Sequence, residues 1–198
     1  DFARDGVSEI VVSDPYADMT GSDSGRVFVL SYASSAERLV DAATVTIDGD
    51  NSGDLFGTSL AVGDLDGSGL SDLVVGAVGR NDFGSSTGGV EIFLDLAFHH
   101  RTIVSSDADQ SIVGSEGAQA AGASITVGQL DDDEADELVV GAPGGISLVG
   151  GGGLVAVFRD VPDGDASLDD ADHRLIGAGG SGDVGADVAV AMDLQGNG

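Results

Sequence analysis

The chain has 198 residues, 41% of them hydrophobic, with 33 glycines and three prolines; it is long enough for a substantial core and too rich in glycine for a helical protein. Thirty-five Asp and Glu against seven Arg, with no Lys, give a formal net charge of −28, which repels nucleic acid and anionic membranes and attracts divalent cations and basic proteins. The absence of cysteine excludes disulfides, thiolate catalysis and zinc sites of the Cys type, and no run approaches the roughly 20 apolar residues of a membrane-spanning helix.

In chain order, the first nine residues, DFARDGVSE, read as an acidic loop. Asp1, Asp5, the Val7 carbonyl and Glu9 are its candidate oxygen ligands, and Ala3 stands where later copies carry Asp. Ile10 to Val12 predicts a strand, Gly25 to Tyr32 the next, and Ala43 to Ile47 an outermost one. Tyr16 to Ser24 is a surface loop. The single helix-like pattern is a turn around Ser34 to Asp41.

The stretch FGTSLAVGDLDGSGLSDLVVGAV from Phe56 follows. Its centre is a nine-residue loop, Asp64 to Asp72, with oxygen-bearing side chains at positions one, three, five and nine and Gly69 at six. That spacing lets a tight turn aim Asp64, Asp66 and Ser68 at one point while the Leu70 carbonyl and the Asp72 carboxylate close a shell, which suits Ca²⁺. The flanks SLAV and LVV are strand-like, so the loop is expected to join a β-hairpin; an EF-hand would need a longer loop between helices. The competing reading is a solvated acidic turn without metal. Two further strands follow, from Gly88 (GGVEIFLDL) and Ser111 (SIVGS).

The same order returns from Ala120. The loop there supplies Gln129, Asp131, Asp133, the Ala135 carbonyl and Glu137, with Glu134 in the place of Gly69; if that place needs positive φ, the loop must differ. Strands are expected from Gly152 (GGLVAVFRDV) and Arg174 (RLIGA), joined by a solvated acidic connection, Asp163 to Asp170. Asp183 to Gly198 reads as one more inner strand with a loop starting at Asp193 and stopping at its sixth position. Loop starts at Asp1, Asp64, Gln129 and Asp193 lie 63, 65 and 64 residues apart, so one supersecondary unit is used repeatedly.

Phe56-Gly57 opening the inner strand, Gly141-Ala142-Pro143 closing the second, and the acidic loop between such strands resemble the FG-GAP repeat of the integrin α-subunit β-propeller over essentially the whole chain. Departures are Ala121 and Val184 in place of Phe56, and Val78 in place of Pro143. The resemblance implies an all-β fold of four-stranded antiparallel blades packed about an axis, with Ca²⁺ between the first and second strands. It divides the chain into an incomplete first blade (1–50), complete blades at 55–117 and 120–179, and the inner strand of another at 183–198. About three blades are too few for a closed ring, so the chain is expected to belong to a larger ring or to complete one, or a fibre, with other copies. The lack of an initial Met also fits a mature or excised segment.

By the same resemblance the expected role is extracellular or at the cell surface: protein interaction, adhesion or surface assembly, with a protein or glycan ligand. Alternatives are an accessory propeller of a secreted hydrolase or lyase and a self-assembling structural subunit. No catalytic set is found. Gly84 to Gly88 matches G-x-S-x-G without the helix that motif requires, a Walker A loop needs Lys, Gly150 to Gly153 is a strand entry, His99 and His100 are adjacent and face opposite sides of a strand, and His173 is isolated. The acidic, Lys-free surface fits either a high-salt habitat or an Arg-favouring genome.

Overall fold

The computed structural model describes residues 2, 6–32, 38–81, 86–96, 101–115, 119–131, 133–144, 152–180 and 182–191. Short β-branched runs between turn residues build an almost wholly β structure in three curled sheets. In the first, β1 (Glu9–Asp14), β2 (Arg26–Ser31) and β3 (Ala43–Asp48) pair antiparallel. The second has β4 (Phe56–Gly63), β5 (Asp72–Ala77), β6 (Gly89–Phe93) and β8 (Gln110–Val113), and the third β9 (Ser124–Gly128), β10 (Glu137–Ala142), β11 (Gly152–Phe158) and β13 (His173–Ile176), again antiparallel between neighbours. One helical turn, α1 (Leu39–Ala42), precedes β3. The repeated antiparallel sheets are the propeller-blade architecture expected from the repeats.

The structure adds one feature to that expectation. The connection leading to the outer strand of the second sheet contains β7 (Arg101–Val104), which pairs parallel with β3 of the first. Likewise β12 (Asp165–Ser167) pairs parallel with β8 of the second. Part of the acidic connection Asp163 to Asp170 is therefore a strand on the neighbouring sheet. Each of these extra strands ends in a 3-10 turn, Ser105–Asp107 and Leu168–Asp170. Val104 N–H donates to Asp107 and Ser167 N–H to Asp170, at 3.0 and 2.8 Å.

Adjacent sheets also meet through main chain at the start of each inner strand. Gly25 bridges Phe56, Gly88 bridges Ala121, and β14 (Asp183–Val184) lies parallel on Gly152 and Gly153. The Ser59 hydroxyl donates to the Gly122 carbonyl at 2.6 Å, and Ser124 repeats this to Gly185 at 2.9 Å.

Every residue of β5 is buried. Leu73, Val75 and Ala77 pack with Val27, Ile47, Phe56 and Phe93 toward the first sheet, while Val74 packs with Val90, Ile112, Leu138 and Leu154 toward the third. A strand covered on both faces has no reason to alternate, which explains the unbroken apolar run LVV. Several of the few basic side chains join the acid-rich surface locally, Arg26 to Asp48 and Arg174 to Asp169. Among the described residues no helix is long and apolar enough to cross a membrane.

Candidate metal centre

The β4–β5 hairpin closes with Gly63 opposite Asp72, so the acidic loop is its turn. Asp64, Asp66 and Asp72 each bring a carboxylate oxygen within 4.8 Å of the others. The loop is shaped by its own side chains: Gly69 N–H donates to Asp64 Oδ2 at 2.8 Å, Ser68 N–H to Asp66 Oδ1 at 3.0 Å, and Leu70 N–H to Ser68 Oγ at 3.2 Å. Such bonds let short polar side chains replace a backbone turn ladder. The Ser68 hydroxyl donates to Asp95 Oδ1 at 2.9 Å, so this expected ligand is held against a fourth carboxylate that the spacing did not reveal. Leu70 lies in the same loop.

Asp72 is completely buried. Its two oxygens accept Leu65 N–H at 2.7 Å and Asp95 N–H at 2.8 Å. Burial, helped by the Asp66 and Asp95 charges, outweighs those bonds and pushes its carboxyl up to about 6. Asp64 Oδ1 is also buried and has no hydrogen-bond partner. Converging carboxylates, one with an orphaned oxygen and another that resists ionisation, fit a hard cation by donor type.

The β9–β10 hairpin places Asp131, Asp133 and Glu137 in the same relation, again within 4.8 Å. Glu137 is 1% exposed; one oxygen accepts Leu130 N–H, while Oε1 has no partner. The rest of the loop differs. Gln129 Nε2 donates to the Asp133 carbonyl at 2.7 Å and to the Ala135 carbonyl at 3.0 Å. The Ala135 oxygen expected to face a cation thus already has an internal donor. Arg159 pairs with Asp131, and the Asp133 N–H together with that guanidinium holds the Asp131 carboxyl below the usual carboxylate range. Gly69 has φ +80°, but Glu134 is not among the residues with positive φ, so the two loops differ at their sixth position.

The first loop lies partly outside the described residues, which include neither Asp1 nor Asp5. Of its other expected ligands, Glu9 accepts Phe2 N–H at 2.8 Å, the same second-to-ninth contact that Leu65 makes to Asp72 and Leu130 to Glu137. The segment 193–198, His99, His100 and the first two residues of the G-x-S-x-G match also lie outside the described residues; the serine of that match, Ser86, is exposed, as is His173 on β13.

The two described loops interlock. Asp64 N–H donates to Asp136 Oδ2 at 3.0 Å, and Asp136 N–H to the Asp64 carbonyl at 2.6 Å. Asp136 and Asp95 escaped the sequence reading because neither falls on an alternate loop position.

The raised Asp72 carboxyl has a measurable consequence. Without cation, the folded state keeps a proton on Asp72 that the unfolded chain gives up at its ordinary value of 3.8. The contribution of this group is therefore complete below that value and is lost as pH rises through about 6. Melting of the cation-free protein is expected to fall over this window, less so in Asp72→Asn. Saturating Ca²⁺, which competes with the proton, should flatten or reverse the trend.

No family model matches this chain, and no curated protein matches it.

Proposed function

We propose that this chain is a calcium-stabilised module of FG-GAP-type propeller blades that serves protein interaction, adhesion or surface assembly outside the cell. The observation that carries the reading is the β4–β5 turn, where Asp64, Asp66 and Asp72 converge and a buried Asp64 oxygen has no partner. A bound Ca²⁺ would neutralise these carboxylates and tie both ends of the hairpin together. Asp131, Asp133 and Glu137 are the second candidate set. Extracellular Ca²⁺ modules bind in the range of about 10⁻⁴ to 10⁻³ M, concentrations met outside cells and not in cytosol. The partner, a protein or glycan in this reading, would be met by loops at the rim or by blade faces.

The test is thermal unfolding in millimolar Ca²⁺ and in chelator, at low and high NaCl. Saturation to about 100 times the dissociation constant should stabilise by roughly 2.7 kcal/mol per site, and Asp64→Ala with Asp66→Ala should remove one site's share. A response to NaCl alone would mean that the carboxylates form a salt-tolerant surface and would overturn the reading.

Exposed apolar residues on edge strands favour assembly as a second reading. Ile10 on β1 is 42% exposed, and Leu175 and Ile176 on β13 are 62% and 44% exposed. Open edges with apolar side chains invite strand addition. Concentration-dependent size in solution would support self-association, and a constant monomer mass would reject it.

A further inference from the structure

The two hairpin loops occupy equivalent places in adjacent blades, yet their charge environments are opposite. Around Asp64, Asp66 and Asp72 the side chains that bond the loop from outside are further acids, Asp95 on Ser68 and Asp136 on the Asp64 N–H. Around Asp131, Asp133 and Glu137 a base does so, Arg159, bonded to Asp131 and near enough to Glu137 and Asp172 to feel their charges. Equivalence is fixed by register. Leu73 faces Phe93 as Leu138 faces Phe158, so Leu94 and Arg159 hold the same position. Their main chains agree too, with Leu94 N–H on Asp109 at 2.9 Å and Arg159 N–H on Asp172 at 2.8 Å.

We infer that Arg159 is the built-in counter-cation of the β9–β10 loop, so that the two loops form an unequal pair: the β4–β5 loop takes Ca²⁺ readily, and the β9–β10 loop takes it only by displacing Arg159. The inference rests on the calcium reading above. Gln129 acts in the same direction, because its amide N–H groups bond the Asp133 carbonyl and the Ala135 carbonyl, the second of which a metal would otherwise draw inward. The site remains incomplete, since Glu137 is 1% exposed and its Oε1 has no partner. A guanidinium that shares Asp131 with an incoming divalent ion repels that ion, so Arg159 sets the affinity of this loop without being a ligand. The two blades then respond to calcium in different concentration ranges.

Calorimetric titration with CaCl₂ tests this on the whole chain. Asp64→Ala with Asp66→Ala silences the first loop by removing two of its carboxylates, and in that background Arg159→Leu installs the residue that the neighbouring blade carries. Arg159→Leu is expected to strengthen binding at the remaining site by about tenfold or more, equivalent to 1.4 kcal/mol. Arg174→Leu removes the same charge from a pair with Asp169 elsewhere and should change little. Circular dichroism verifies that each variant is folded. Equal affinities at both loops in the unsubstituted chain, with no change on Arg159→Leu, would overturn the inference and leave the calcium reading standing. Absence of Ca²⁺ heat in every variant would overturn both.

Discussion

Gly88→Ala is expected to lower stability by more than about 4 kcal/mol, in the range reserved for failures of core or backbone geometry, and to leave little folded protein at 37 °C. Gly88 has φ +70°, and a Cβ there would lie 2.3 Å from the Ala121 nitrogen and 2.4 Å from its oxygen. Neither atom can step aside. Ala121 N–H donates to the Thr87 carbonyl at 3.0 Å, and Gly114 N–H donates to the Gly88 carbonyl at 3.0 Å, so relief of the clash breaks the junction between two blades. The matched control is Gly164→Ala, with nearly the same φ of +79° and nothing within 4 Å of its Cβ. It should cost about 1 to 2 kcal/mol, the conformational penalty alone. Urea unfolding of the two variants separates the terms, and equal losses would show that the close junction contributes nothing beyond backbone preference.

What the sequence made legible, and what it hid, divides along the same line between local and cross-blade contacts. A cation loop needs oxygens at fixed alternate positions and a hairpin needs apolar flanks, so Asp64, Asp66 and Asp72 could be placed on one turn before any coordinates. The repeat spacing then carried this to Asp131, Asp133 and Glu137. Hidden were the contacts made between segments. β7 and β12 are RTIV and DAS, too short to show a period, and their strand character comes from pairing with β3 and β8. Arg159 and Asp95 reach the loops from the end of the following strand, 28 and 27 residues away from the groups they bond. Gln129 reads as an oxygen ligand in the sequence because type and position say nothing about which way an amide turns; its nitrogen, not its oxygen, meets the Ala135 carbonyl. Glu134 could be flagged as anomalous from Gly69, but only the backbone shows that the loop avoids positive φ there.

Phe56→Ala should destabilise the chain by about 3 to 5 kcal/mol and lower the melting temperature by roughly 6 to 20 °C for a chain of this size. Comparison of the repeats alone would suggest the opposite, because the equivalent residue in the next blade is Ala121. The two sites differ in what surrounds them. Ala121 is completely buried among the residues between the second and third sheets, whereas Phe56, 1% exposed, fills space between the first and second and sets its ring edge-to-face on Phe93, centroids 6.5 Å apart and planes at 78°. Truncation leaves a cavity that β5, buried on both faces, cannot collapse to fill. Phe56 begins β4 and the acidic loop follows its far end, roughly 25 Å along the strand. Distant, independent sites add within about 0.5 kcal/mol, so the calcium-induced stabilisation of Phe56→Ala should equal that of the unsubstituted chain, although both melt from different starting points. A calcium response that vanished with Phe56 would instead mean that the loop is organised by the core beneath it, and that the metal reports folding of the blade without adding to it.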